Sequence, residues 1–164
     1  MEHARRATPA DSDTLAELLL AEHAEALTQR GGDMWIACAS PPTAERLEAL
    51  FDDPAALVLA GCIDEVVLGI ATARIVDADG VGRVAFIDDL YVDRAAREVG
   101  IGDALIEQVM QWARRHACVG VDATALPGDR ATKNFFEAHG LVARSITVHH
   151  RFNANGNGNG NPLT

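Results

Sequence analysis

Cysteine, cationic side chains and long apolar runs are all scarce in this chain, and each shortage removes a class of protein. The three cysteines, Cys38, Cys62 and Cys118, are odd in number and have no paired spacing. Neither a disulfide framework nor a metal site is therefore expected, and a reducing, cytoplasmic location fits. The 14 Lys and Arg against 24 Asp and Glu leave a formal net charge of −10. Nucleic acid, which calls for a basic face, is excluded as a partner, whereas a cationic small molecule could be steered by such a field. The longest apolar run, 55–63, is far too short to cross a bilayer, so no membrane association is expected. No apolar segment follows the opening Met1-Glu2-His3-Ala4-Arg5-Arg6, so no secretory leader is expected either.

What the chain does have is pattern. Its 164 residues suffice for one domain with its own core, placed at 1–152. The Asn/Gly alternation over 153–164 has nothing to bury and reads as a disordered tail. A strand is expected at 3–8. A helix follows with Asp11 or Ser12 as N-cap, and its apolar stripe runs through Leu15, Leu18, Leu19, Ala26 and Leu27 to about residue 29. Residues 34–40 are ambiguous and expected as a loop. Pro41-Pro42-Thr43 introduces a second helix through Phe51. Strands at 56–63, 66–76 and 81–92 form a meander with turns at 64–65 and 77–80. Beyond them lie a helix at 102–116, a strand at 119–125, a helix at 130–139 and a last strand at 141–152. The fold class is α/β, a single central mixed sheet flanked by helices.

The junction between the third meander strand and the next helix reads Arg97-Glu98-Val99-Gly100-Ile101-Gly102. Consecutive N–H groups at a helix start converge on an anion, and a glycine lets the ligand approach the backbone closely. Arg97 adds a charged fork suited to phosphate oxygens. A P-loop needs Lys and Ser or Thr after the last glycine, and here Asp103 and Ala104 follow. A dinucleotide fingerprint needs a small residue where Leu105 stands. The string is a candidate pyrophosphate cradle of another kind.

Leu90-Tyr91-Val92-Asp93 followed by Arg97-x-x-Gly100-x-Gly102 resembles the coenzyme A signature of the GNAT family of N-acetyltransferases. A second family stretch, usually Asn-x-x-Ala-x-x-Phe-Tyr-x-x-x-Gly-Phe, is matched by Asp129, Thr132, Phe135, Phe136, Gly140 and Leu141. The resemblance implies a GNAT-like fold and acetyl-coenzyme A as cosubstrate, with no metal. It assigns cofactor binding to Leu90, Tyr91, Val92, Arg97, Glu98, Val99, Gly100, Ile101, Gly102, Asp129 and Phe136. The main chain of residues 90–92 would pair with the pantetheine arm.

The acid-Asp-Leu-Tyr-Val wording around Asp88-Asp89 is similar to the polyamine and diamine branch, and by that resemblance Asp88, then Asp89, is the catalytic carboxylate. The chemistry agrees: a lysine-like amine is neutral in on the order of one molecule in a thousand or fewer at pH 7, so transfer gains from a proton acceptor. Adjacent strand residues face opposite ways, so one aspartate should face the cleft unless a bulge exposes both. Phe136 stands where the family usually has a tyrosine that protonates the leaving thiolate, and phenylalanine has no proton to give. Thr132, one turn earlier, is a candidate for holding a water there, and Asp129 is a candidate N-cap. The expected activity is acetyl transfer from acetyl-coenzyme A to a primary amine, that of a small cationic molecule, by direct attack. The alternative is a coenzyme A-binding module with little or no catalysis, which Phe136 favours. The identity of the amine, the acyl-chain preference and a homodimer are left open.

Overall fold

The computed structural model describes residues 1–152, and the tail expected at 153–164 lies outside the described residues. In chain order the elements are β1 (Glu2–Arg6), α1 (Ser12–Ala26), α2 (Gly32–Cys38), α3 (Ala44–Phe51), β2 (Ala56–Ile63), β3 (Val66–Ala78), β4 (Gly82–Val92), α4 (Ile101–Arg115), β5 (Gly120–Ala123) and α5 (Arg130–Ala138). The strands form one sheet in the order β1-β2-β3-β4-β5. All neighbours are antiparallel except β4 and β5, which are parallel.

Both faces of this sheet are covered, which is why β2 reads as an unbroken apolar run rather than an alternating one. Leu57 and Leu59 point to one face, where Ile101, Leu105, Ile106, Val109 and Trp112 of α4 pack with Phe136 of α5. Val58, Ala60 and Cys62 point to the other, against Leu15, Leu18 and Leu19 of α1 and Leu47 of α3. Gly61 sets how closely α4 approaches: a Cβ there would stand 2.6 Å from Ile101 Cγ2. Among the described residues no helix is long and apolar enough to cross a membrane.

Three expectations are corrected. Residues 34–40 are mostly helical, not a loop: left-handed Gly31 (φ 80°) separates α1 from α2, and its carbonyl accepts from the Trp35 N–H at 3.0 Å. Because α1 ends at Ala26, Leu27 lies outside the stripe and is exposed. The largest correction is the last strand, since 141–152 has no strand structure. Alternation makes a strand only where a sheet edge takes the segment up. This segment is instead tied by side chains, Arg144 to Asp122 (Nε to Oδ1, 2.8 Å) and Arg151 to Asp33, and leaves Val142, Ile146 and Val148 exposed.

Candidate active site

The site begins where two parallel strands part. β4 and β5 pair only from Val84–Gly120 to Ile87–Ala123. Beyond Ile87, β4 continues to Val92 with β3 alone as its neighbour. A cleft of about 410 Å³ fills the opening, bordered by Leu90, Tyr91 and Val92 on one side and by Ala123–Leu126 on the other. An extended ligand with amide groups can add to a strand edge of this kind as a further strand would.

At the foot of the cleft stands the cradle. Gly100 (φ 96°) is the left-handed N-cap of α4, and Glu98 is left-handed too (φ 66°), an unusual conformation for a residue with a side chain. These turns leave the N–H groups of Glu98 through Asp103 without a protein acceptor among the described residues. Unpaired donors of this kind at the positive end of a helix suit an anion. Gly102 borders the cleft, and a Cβ there would lie 3.2 Å from the Phe135 ring. Ile101 is buried in the core, so only its backbone is available to a ligand; Val99 is exposed, and neither residue lines the cleft.

The Arg97 side chain has other partners. Its two terminal nitrogens reach Glu25 of α1 at 2.9 and 2.8 Å, and its Nε donates to the Val92 carbonyl at 3.0 Å. The guanidinium also lies over the Tyr91 ring, 5.2 Å from its centroid. Hydrogen bonding to Arg97 holds the Glu25 carboxyl below its ordinary range. A phosphate recruiting this fork would have to draw it away from Glu25.

The two aspartates are separated by a β-bulge. Thr72 of β3 pairs with Asp89 and Ala73 with Ile87, which leaves Asp88 without a partner. The alternation slips there by one residue: Ala85 and Ile87 pack toward α4, and after the bulge Leu90 and Val92 do so. Asp88 projects to the cleft, bound by Arg74 Nε at 3.0 and 3.1 Å. Burial pushes its carboxyl up against the opposing pull of Arg74. Asp89 is buried on the α3 side, where Arg46 Nη2 reaches it at 2.7 Å and the Thr72 hydroxyl donates to it. A second cleft of about 270 Å³ adjoins the first, and the two share Trp35, Asp88 and Thr124.

A carboxylate that the sequence reading missed completes the site. Glu22 of α1 lines the main cleft, and its Oε2 is buried without a hydrogen-bond partner. The signal was present: spaced from Leu15, Leu18 and Leu19 by helical periods, Glu22 occupies a stripe position where an apolar residue is the norm. On the far wall, Asp129 caps α5 by accepting from the Thr132 N–H at 3.0 Å and the Thr132 hydroxyl at 2.6 Å. Its hydroxyl so engaged, Thr132 has no second proton for a water. Phe136 is buried at the cleft wall against Phe135.

Comparison with known proteins agrees with this geometry. The model of the acetyltransferase (GNAT) family matches residues 15–141. Glucosamine 6-phosphate N-acetyltransferase 1 of Oryza sativa subsp. japonica is 31% identical over 123 residues, covering 66% of this chain and 70% of the relative. Aminoglycoside N(6′)-acetyltransferase type 1 of Klebsiella aerogenes is 36% identical over 78 residues, 46% of this chain and 51% of the relative. Among solved structures, a tetramutant of the BH1408 protein of Bacillus halodurans superposes with a TM-score of 0.77 at 21% identity, covering 91% of this chain and 99% of that one. The chain belongs to the GNAT family and is an acetyl-coenzyme A-dependent N-acetyltransferase.

Proposed function

We propose that this enzyme acetylates the primary amine of a small cationic molecule by direct attack on the thioester. The observation that carries the reading is the pairing of an open β4 edge with carboxylates at its α1 end, Glu22 and Asp88, where the acceptor nitrogen would stand. The acyl donor fits the other end. The N–H groups of Glu98 through Asp103 suit its pyrophosphate, and the main chain of Leu90, Tyr91 and Val92 suits its amide-bearing arm. When bound, it supplies an activated thioester. An N–H on this edge would stabilise the oxyanion that develops during attack.

The second cleft, with Trp35 and Phe86 in its wall and Asp88 at its junction with the first, offers the acceptor a route in. A cation gains there from the Asp88 charge and the Trp35 face once it displaces Arg74, whose guanidinium sits on Asp88 and 4.8 Å over the Phe86 ring. Arg74, which lines the same cleft, is a partner open to a sugar phosphate, so the preference for a cationic acceptor rests on Glu22 and Asp88. The free thiols of Cys38, Cys62 and Cys118 suit a cytoplasmic enzyme.

Thiol release from acetyl-coenzyme A, followed with 1,4-diaminobutane, an aminoglycoside and glucosamine 6-phosphate, tests the assignment. Cationic amines are expected to give the higher kcat/KM, and a preference for the sugar phosphate would contradict it. Asp88→Asn is expected to raise KM for the diamine about tenfold, ~1.4 kcal/mol of lost binding, with a much smaller change in kcat. An unchanged KM would remove Asp88 from the acceptor site.

Phe136 leaves the thiolate to depart without a phenol beside it. A thiol of pKa ~8.5 is a fair leaving group, but a positioned acid commonly contributes ~10²–10⁴. Phe136→Tyr adds one hydroxyl at the cleft wall and is expected to raise kcat about tenfold, ~1.4 kcal/mol off the barrier. Equal turnover in both forms would mean that thiolate departure does not limit the rate. Thiol release in neither form, beside tight coenzyme A binding, would favour a binding module.

A further inference from the structure

We propose that Glu22 is the catalytic base, the group that takes the proton from the acceptor ammonium. The inference deepens the amine-acetylation reading above and rests on it. Four carboxylates gather where α1 meets β4, and three have a cation: Asp89 has Arg46, Asp88 has Arg74 and Glu25 has Arg97. Glu22 has none within ion-pair distance among the described residues; its Oε2 is buried without a hydrogen bond, and the residue lines the cleft beside Asp88 and Leu90. A buried carboxyl oxygen left unpaired is destabilising, and an ammonium ion in the cleft is the partner that would relieve it.

The surroundings prepare Glu22 for proton transfer. Burial, then the charge of Asp89, pushes its carboxyl up to about 8, with a smaller contribution from Glu25; the Leu90 N–H and Arg46 oppose the rise. The neighbouring His23 is itself held below its ordinary value by burial, so it brings no cation to offset this. Against an ammonium of pKa ~10.4, an ordinary carboxylate near 4.3 is mismatched by roughly six powers of ten. At about 8 the mismatch narrows to between two and three, which is what a general base acting near neutral pH requires.

The step balances as follows. The ammonium gives one proton to the Glu22 carboxylate, and the freed nitrogen lone pair forms the C–N bond at the thioester carbonyl. The C–S bond breaks with its electron pair on sulfur, the nitrogen loses its second proton, and the thiolate gains one to leave as thiol. Glu22 returns its proton to solvent through the cleft mouth.

Glu22→Gln keeps the shape and removes the base. With 1,4-diaminobutane, wild-type kcat/KM is expected to rise with pH through about 8. In the variant that limb moves up toward the amine's own pKa, and at pH 7.5 the rate falls by ~10²–10⁴. Glu22→Asp, which keeps a carboxylate, should restore part of the loss. A second readout needs no substrate. A carboxyl raised from 4.5 to about 8 on folding binds more protons folded than unfolded between those values, so wild-type stability falls as pH rises across that window. Glutamine does not titrate, so the Tm of Glu22→Gln should gain on wild type from pH 6 to pH 9. A variant that matches wild type in rate and pH limb, or a Tm difference that is flat with pH, overturns the role of Glu22 alone. A wild type that acetylates no amine overturns the reading beneath it, and the proposal with it.

Discussion

Replacing Arg46 with methionine is expected to lower the unfolding free energy by about 3–5 kcal/mol, the usual consequence of removing one partner from a buried ion pair. For a domain of this size that is a fall in Tm of roughly 10 °C. Arg46 lies on α3 with its side chain 11% exposed, and Asp89 on β4 with its side chain 4% exposed. The guanidinium reaches Asp89 at 2.7 Å and the Thr72 hydroxyl at 3.3 Å. Methionine fills much of the same space but leaves the Asp89 charge with Thr72 alone. Asp89→Asn should also destabilise, because it strands the cation. The double variant should recover at least half of the larger loss, as both charges are then gone. Urea or thermal melts of the four proteins complete the cycle. A loss under 1 kcal/mol for Arg46→Met would show that this pair does not hold α3 to the sheet. The pair sits one residue past the Asp88 bulge, so a loosened α3 should also raise KM for the acceptor amine.

This pair marks the boundary of what the sequence disclosed. The bounds of β2 and the start of α4 were legible because an apolar run with covered faces and a glycine-rich helix entry are local signals. The glycine-rich turn at 97–102 was legible for the same reason. The bulge at Asp88 was not: no glycine or proline marks it, and it arises from how β3 and β4 pair. The sequence supported only the statement that one aspartate would face the cleft unless a bulge intervened. The partner of Arg97 was hidden by distance, since Glu25 is 72 residues away. Glu22 was not legible as a site residue from its stripe position alone, because a lone carboxylate one turn beyond Leu18 and Leu19 has no local signal that separates a cleft position from a solvated one. The segment 141–152 misled in the other direction: its alternation was real, but what an alternating segment pairs with is settled by the sheet, not by its own residues.

Coenzyme A is proposed to lie in the cleft between β4 and β5, floored by the start of α4. Gly102 is the position at which to test it, because a Cβ there enters the space between the helix start and the Phe135 ring, both of which border the cleft. Alanine asks Phe135 to yield by a few tenths of an ångström and improves helix propensity, so Gly102→Ala serves as the folded control. Valine adds two methyl groups beside the N–H groups proposed to hold the pyrophosphate. Calorimetric titration of coenzyme A into wild type, Gly102→Ala and Gly102→Val, with a melt of each, is the most direct measurement. Wild type is expected to bind and Gly102→Val to bind at least tenfold more weakly, ~1.4 kcal/mol or more, with alanine between them and all three folded. Equal affinity in a folded Gly102→Val would contradict that placement of coenzyme A.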